Sequence, residues 1–212
     1  MPPAVELRQG DRTVRVFVIA MECEAQCVRP VLKDGDRIVV CGIGKVNAAA
    51  AAQRAISEYG ADLIVNAGLC GGFGEDVEVC GVYEVTAAVE YDFDLAKLNG
   101  TAVGVLDEYD TPYLEVSGTG VFPGAILATG DHFNDSEADY ALIRDELKAS
   151  LRDMEGAAIA HVCKKNGVRC QMVKCVTNVA GKGSMTGQYE ANRELALSRL
   201  AEAMKEYAAR SL

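Results

Sequence analysis

The sequence predicts an α/β fold built on a mostly parallel or mixed sheet. Three observations carry that expectation. Short runs rich in Val and Ile alternate with Ala-rich or amphipathic stretches of helical length, the pattern of strands joined by helices. Half of the 212 residues are hydrophobic and 21 are Gly, enough to pack helices tightly on a sheet. Polar side chains gather just past the carboxyl ends of the apolar runs, where sheets of this class keep their ligands. At this length one domain covering residues 1–212 is expected.

Residues 14–20 form the first buried strand, followed by Met21-Glu22-Cys23-Glu24 at its carboxyl end. A second apolar run, 37–41, ends in Gly42-Ile43-Gly44-Lys45, and 46–59 is an Ala-rich helix closed by Gly60. Residues 63–67 make a third strand that runs into the glycine-dense stretch 68–74, read as a loop whose backbone N–H groups can approach a ligand closely. It lacks the dinucleotide pattern, because 75–80 is acidic and strand-like where that pattern needs a helix.

An alternating Val- and Thr-rich strand covers 81–91, and 95–124 is irregular, with hairpins near the rim. Residues 125–129 form another strand, ending in Gly130-Asp131-His132-Phe133-Asn134, and Ser136 caps a helix running to about Leu147. In 151–162 a strand-like run leads through Asp153, Met154 and Glu155 into a helix opened by Gly156-Ala157-Ala158 and ending near Asn166-Gly167. Taken alone, its acidic residues only complement a helix dipole. Residues 168–176 make the last strand, finishing at Thr177-Asn178, and 189–210 is a closing amphipathic helix.

The formal net charge is −10 and no Lys/Arg cluster occurs, which removes the electrostatic attraction that nucleic acid or an anionic membrane would need. The eight cysteines read as free thiols of a reducing compartment, most of them within apolar segments. Cys23 and Cys27 have the spacing of one helical turn with no CxxC or His pair beside them, so no metal site is expected. Glu6 and Asp11 interrupt the start of the chain, and no leader, membrane span or destination other than the cytoplasm is expected.

Five segments now stand in a telling order: Ala20-Met21-Glu22-Cys23-Glu24, Gly42-Ile43-Gly44-Lys45-Val46-Asn47-Ala48-Ala49, Asn66-Ala67-Gly68 with Gly71-Gly72, Gly130-Asp131 with Phe133, and Asp153-Met154-Glu155-Gly156-Ala157-Ala158-Ile159-Ala160. With these the chain resembles the purine nucleoside phosphorylase and uridine phosphorylase-like superfamily, in particular the 5'-methylthioadenosine/S-adenosylhomocysteine nucleosidases. The resemblance implies a three-layer sandwich, a central mixed and twisted sheet flanked by helices. It also implies cleavage of a purine N-glycosidic bond through a ribosyl cation-like transition state. Glu24 takes a proton from water, Glu155 holds the ribose hydroxyls, Met154 packs on the sugar and Phe133 stacks on the base. Gly68, Leu69, Cys70 and Gly71 line the substrate, and the backbone at Asn134 and Asp153 lines the base edge. The implied partner is a small purine nucleoside, with no cofactor, and the implied assembly is a homodimer or higher homo-oligomer.

Departures from the family pattern bear on the chemistry. Asn178 stands where the nucleosidases carry an Asp that helps to protonate the leaving purine, and an amide delivers no proton. Asn is what the 6-oxopurine phosphorylases use, which opens a 6-oxopurine nucleoside hydrolase acting on futalosine or inosine as an alternative. Asn66 and Leu69 replace the Arg and Ser of a phosphate site, so water is favoured over phosphate as nucleophile, with a purine nucleoside phosphorylase as the other reading. Lys174 replaces an Arg and cannot form a bidentate fork. The segment between Glu24 and Cys41 is short by about one hairpin relative to the family. Together the departures at Leu69, Lys174 and Asn178 also fit a nucleoside-binding protein without turnover.

Overall fold

The structure, a computed structural model, describes residues 13–106, 108–133 and 135–210. β1 (Arg15–Ile19) is buried at every position, as the apolar run Val16–Ile19 requires when both faces of a sheet are covered, and its one charged residue, Arg15, is paired with Asp36. Its side chains alternate between two cores, Phe17 and Ile19 in one and Val16 and Val18 in the other. The first core is closed by α1 (Glu22–Val28) and the long α6 (Met185–Arg210), which contribute Ala25, Val28, Ala196, Leu200, Met204 and Tyr207. The second is closed by α2 (Lys45–Tyr59) and α5 (Gly156–Asn166), whose buried Ala residues let both helices lie close to the sheet and to each other. The layers are therefore helices, sheet, helices, as the sequence predicts.

The sheet is mixed. β2 (Arg37–Val40), β1 and β3 (Leu63–Gly72) run parallel. β7 (Leu151–Asp153) pairs antiparallel with the end of β3 and parallel with β6 (Gly124–Thr129). β6 lies parallel to β4 (Val82–Glu90), and the short β5 (Leu114–Glu115) borders β4. β8 (Arg169–Val179) pairs parallel with β3 along its length and antiparallel with the start of β4. Five strands thus close a ring, β3-β7-β6-β4-β8. The register shifts by one residue between Cys70 and Gly71 and again between Val85 and Ala87, the kind of bulge that bends a sheet far enough to close.

The stretch at 68–74 corrects the expectation of a loop, because β3 continues through Gly72 with every residue buried. These glycines serve close approach between neighbours. A Cβ on Gly68 would stand 2.6 Å from Glu24 Oε1, one on Gly71 would stand 3.0 Å from Asn178 Nδ2, and one on Gly72 would meet Val77 at 2.5 Å. Residues 75–80, expected as strand-like, form turns instead, since the bend into β4 falls there. The irregular segment after β4 contains the single-turn helix α3 (Ala96–Asn99) and β5. The Ser136 hydroxyl accepts from the Asp139 N–H at 3.2 Å and caps α4 (Glu137–Ala141), which widens into a π turn over Leu142–Glu146. The closing helix begins four residues before the expected start, at Met185. All eight cysteines are free, and among the described residues no helix is long and apolar enough to cross a membrane.

Candidate active site

Every polar cluster noted in the sequence lies at the carboxyl end of a strand, and the sheet brings these ends around one cavity of about 490 Å³. Its wall includes Glu24, Leu69, Cys70, Gly71, Phe133, Asp153, Met154, Glu155 and Asn178. Gly68 stands behind that wall, where its missing side chain leaves room for the Glu24 carboxylate. Asn134 lies outside the described residues.

Glu24 sits in the first turn of α1 and is 3% exposed. Its Oε1 accepts from the Leu69 N–H at 2.7 Å and its Oε2 from the Met21 N–H at 3.0 Å. Burial nevertheless outweighs these bonds and the charge of Lys174, so the carboxyl is held above its usual pKa. Glu155 occupies the junction between β7 and α5, and its Oε1 accepts from the Gly44 N–H at 2.9 Å. Burial, reinforced by the Asp153 charge, pushes its pKa up to about 7. Two carboxyls with raised proton affinity therefore face one cavity, the condition under which a side chain exchanges protons near neutral pH.

Asp153 plays a different part. Its Oδ2 takes the Lys174 ammonium at 2.7 Å, its Oδ1 takes the Thr129 hydroxyl at 2.6 Å, and the Gly156 N–H at the head of α5 donates to it at 2.9 Å. The carboxylate and ammonium are almost wholly buried, at 1% and 2% side-chain exposure. Burial alone would lower the Lys174 pKa, but Asp153, Glu155 and Glu24 outweigh it and hold the ammonium above its usual value. The pair anchors the β7–α5 junction, with Lys174 reaching the Asp153 carboxylate through a single charge-assisted bond.

Asn178 is 1% exposed, its Oδ1 accepting from the Thr177 hydroxyl at 2.7 Å and its Nδ2 lying 2.8 Å from Met185 Sδ. Phe133 is half-exposed and meets Tyr189 edge to face at 6.0 Å between ring centroids, forming an aromatic rim. Burial pushes the Cys70 thiol well above its usual pKa, so it lines the cavity uncharged. Asn66 is buried with its Nδ2 donating to the Val18 carbonyl at 2.8 Å, and the Leu69 side chain joins the core, which leaves neither position suited to a phosphate dianion.

Arg152, Ile43, Thr186, Tyr189 and Glu190 also line the cavity, beyond the candidates that the sequence suggests. For Arg152 a signal existed, a charged residue between Leu151 and Asp153 in a run otherwise read as a buried strand. The α6 residues gave none, because their helix starts earlier than its apolar pattern. Among the described residues no group of three or more His, Cys, Asp or Glu side chains is placed to hold a metal ion.

Residues 32–209 match the phosphorylase superfamily. The chain belongs to that superfamily. It is 31% identical over 179 residues to the 5'-methylthioadenosine/S-adenosylhomocysteine nucleosidase of Treponema pallidum, covering 68% of this chain and 66% of that protein. It is 29% identical over 160 residues to the aminodeoxyfutalosine nucleosidase of Campylobacter jejuni, covering 66% of each. The alignments thus span slightly less than two thirds of either relative. Among solved structures, a Helicobacter pylori nucleosidase variant holding 5'-methylthioadenosine superposes with a TM-score of 0.85 at 20% identity, over 95% of this chain and all of that one. A Borrelia burgdorferi homologue bound to adenine gives 0.83 at 20% identity, over 93% of this chain and 100% of that one. These superpositions establish the phosphorylase-superfamily fold, a central sheet flanked by helices, over nearly the whole chain.

Proposed function

We propose that this member of the phosphorylase superfamily is a purine nucleosidase that hydrolyses the N-glycosidic bond of a purine nucleoside, as its relatives named for 5'-methylthioadenosine, S-adenosylhomocysteine and aminodeoxyfutalosine do. The observation that carries the reading is the pair of buried carboxyls with raised proton affinity, Glu24 and Glu155, in one cavity with an aromatic rim. Glu155 accepts from the ribose hydroxyls and Met154 packs against the sugar. Glu24 takes a proton from water as its oxygen bonds to C1', the C1'–N9 pair leaves with the purine, and the base is reprotonated from solvent. Phe133 stacks on the departing ring.

Water is the nucleophile in this scheme because Asn66 and Leu69 supply no charged donor for phosphate. The Asn178 amide supports a second reading in which the base is a 6-oxopurine, since it can accept from N7–H and donate to O6. The test is incubation with methylthioadenosine, adenosylhomocysteine, inosine and futalosine, with and without phosphate. Free base is expected from at least one without phosphate, and Glu24→Gln should lower kcat by about 10²- to 10⁴-fold. Release of no base from any of the four contradicts the reading, and tight binding without turnover replaces it by a nucleoside-binding protein.

A further inference from the structure

The turn 42–45, which leads into α2, is tied to the cavity on one side and to an ion cluster on the other. Gly42 and Gly44 have φ of 88° and 102°, the left-handed region that favours glycine, so the turn depends on its partners to hold one shape. Its start is fixed by the Cys41 and Gly42 N–H groups, which donate to the Ile19 and Ala20 carbonyls at 2.8 and 3.0 Å. At its end the Gly44 N–H donates to Glu155 Oε1 and the Lys45 N–H to Asp131 Oδ1, each at 2.9 Å. Two carboxylates therefore cap the head of α2, and one of them belongs to the cavity wall. Ile43, between the two glycines, lines the same cavity.

The Lys45 side chain is out of place by the rule for helix ends. A cation at the first position of a helix meets the positive end of its dipole, the unfavourable sign. Its ammonium reaches past the end of β4, donating to Asp92 Oδ1 at 2.6 Å and to Glu90 Oε2 at 3.1 Å, with most of all three side chains buried. Asp92 Oδ2 accepts in turn from the Asp131 N–H at 3.0 Å. Lys45, Asp92 and Asp131 thus close a ring, since Asp131 also holds the Lys45 N–H. Glu90 faces His161 of α5 as well, with Nδ1 at 3.6 Å, and the other ring nitrogen lies 3.3 Å from Glu108, which Lys165 pairs. Helix α5 consequently meets the turn at Glu155, its N-cap, and the ion cluster at His161.

Burial works against these charges, and their partners prevail. Asp92 and Glu90 hold the Lys45 ammonium above its usual pKa, while His161 and Lys45 hold the Glu90 carboxyl below its own. The cluster stays ionised where Glu155 titrates. Around Glu155, burial and the Asp153 charge raise its proton affinity, Lys174 and the Gly44 N–H lower it, and Glu24 raises it again. The Cys41 thiol nearby, pushed up to about 11 by burial, adds no charge.

We propose that Lys45 is a positioning residue, whose ammonium between Asp92 and Glu90 locks the 42–45 turn and so keeps the Gly44 N–H on the Glu155 carboxylate. Its catalytic consequence rests on the nucleosidase reading, in which Glu155 must be ionised to accept from the ribose hydroxyls. Once the turn is released, Glu155 loses a bond to its charged form and binds its proton more tightly.

The experiment follows kcat/KM of the full chain against pH, with whichever of the four nucleosides above releases base fastest. The 13C shift of the Glu155 carboxyl, assigned with Glu155→Gln, gives its titration independently of turnover. Lys45→Met should move the acid limb up by about half to one pH unit, so that kcat/KM falls roughly 3- to 10-fold at pH 6 and less than about twofold at pH 9. A merely structural defect would lower it equally at every pH. Asp92→Ala releases the ammonium without removing it, and here the sign decides. Loss of an anion by itself lowers the proton affinity of Glu155, whereas a released turn raises it, so this limb should also move up. Lys45→Arg keeps the charge and a donor for each carboxylate and should stay nearer the wild type than Lys45→Met. An unmoved limb in Lys45→Met, an unmoved or lowered limb in Asp92→Ala, or a Lys45→Arg limb displaced as far as that of Lys45→Met overturns the proposal. If Lys45→Met does not fold, the other two variants decide alone. If no nucleoside is cleaved but the Glu155 titration moves up in Lys45→Met and Asp92→Ala, the nucleosidase reading fails and the role of Lys45 stands. If base is released while neither limb nor titration moves, the reverse holds.

Discussion

Two cavities of equal volume, about 490 Å³ each, lie at opposite ends of the parallel strands. The one at the carboxyl ends is lined by Glu24, Glu155 and Asn178. The one at the amino ends is lined by Arg15, Asp36, Arg169 and Arg210. In the second, the Arg15 guanidinium clasps Asp36 through both nitrogens, at 3.1 and 2.5 Å, and Asp36 holds the guanidinium above its usual pKa against the effect of burial. Arg210 is likewise paired with Glu206 at 2.8 Å. These charges answer one another. In the first cavity two carboxyls are buried with backbone N–H partners and too little positive charge, and Glu155 rises to about 7. Size therefore does not distinguish a site from a crevice, whereas uncompensated charge does.

The sharpest way to probe this contrast is to remove the one strong ion pair behind the first cavity. Asp153→Ala leaves a buried ammonium at Lys174 and should cost about 3–5 kcal/mol in urea unfolding at pH 7. Lys174→Met should cost less, because Asp153 keeps the Thr129 hydroxyl and the Gly156 N–H. The reverse order would contradict the assignment of Asp153 as the anchor of this junction.

A smaller effect follows from Glu155. Below about pH 4.5 the carboxyl is protonated in folded and unfolded chains alike. As pH rises towards 7 the unfolded chain loses its proton first, so the wild type is progressively destabilised, and above 7 the penalty is complete. Glu155→Gln escapes it, and its Tm should exceed that of the wild type by more at pH 8 than at pH 5, corresponding to at most about 3 kcal/mol. The same variant should lose turnover, and wild-type kcat/KM should fall as pH drops below about 7. A Tm difference independent of pH would break the link between burial and proton affinity.

The smallest effect belongs to the second cavity. Arg169 is exposed there, and Arg169→Ala should leave turnover within twofold and stability within about 0.5 kcal/mol. A large loss of activity would show that the amino-end cavity takes part in function and would dissolve the comparison.

Much of this molecule was legible before folding. Residues 14–20 announce a strand covered on both faces because every position but Arg15 is apolar, and β1 is buried throughout. Glu155 could be placed at a strand-to-helix junction because the change of period from Leu151 to Gly156 is local. The glycine stretch misled for the opposite reason. Glycine permits both a loop and a close strand approach, and the choice depends on Glu24, Val77 and Asn178, all distant in sequence or across a turn.

By itself the sequence determined which segments become strands and helices, where the Ala-rich helices pack, and that carboxylates stand at strand ends. Hydrophobic period and helix-end chemistry operate over a few residues, and a linear reading captures them. Only the tertiary structure decided that β3, β7, β6, β4 and β8 close a ring, that Lys174 neutralises Asp153 while Glu155 stays raised, and that Arg152 and Asn178 flank Gly71. Burial and charge compensation depend on neighbours that the chain brings together from far apart, and those neighbours set the proton affinity of each carboxyl.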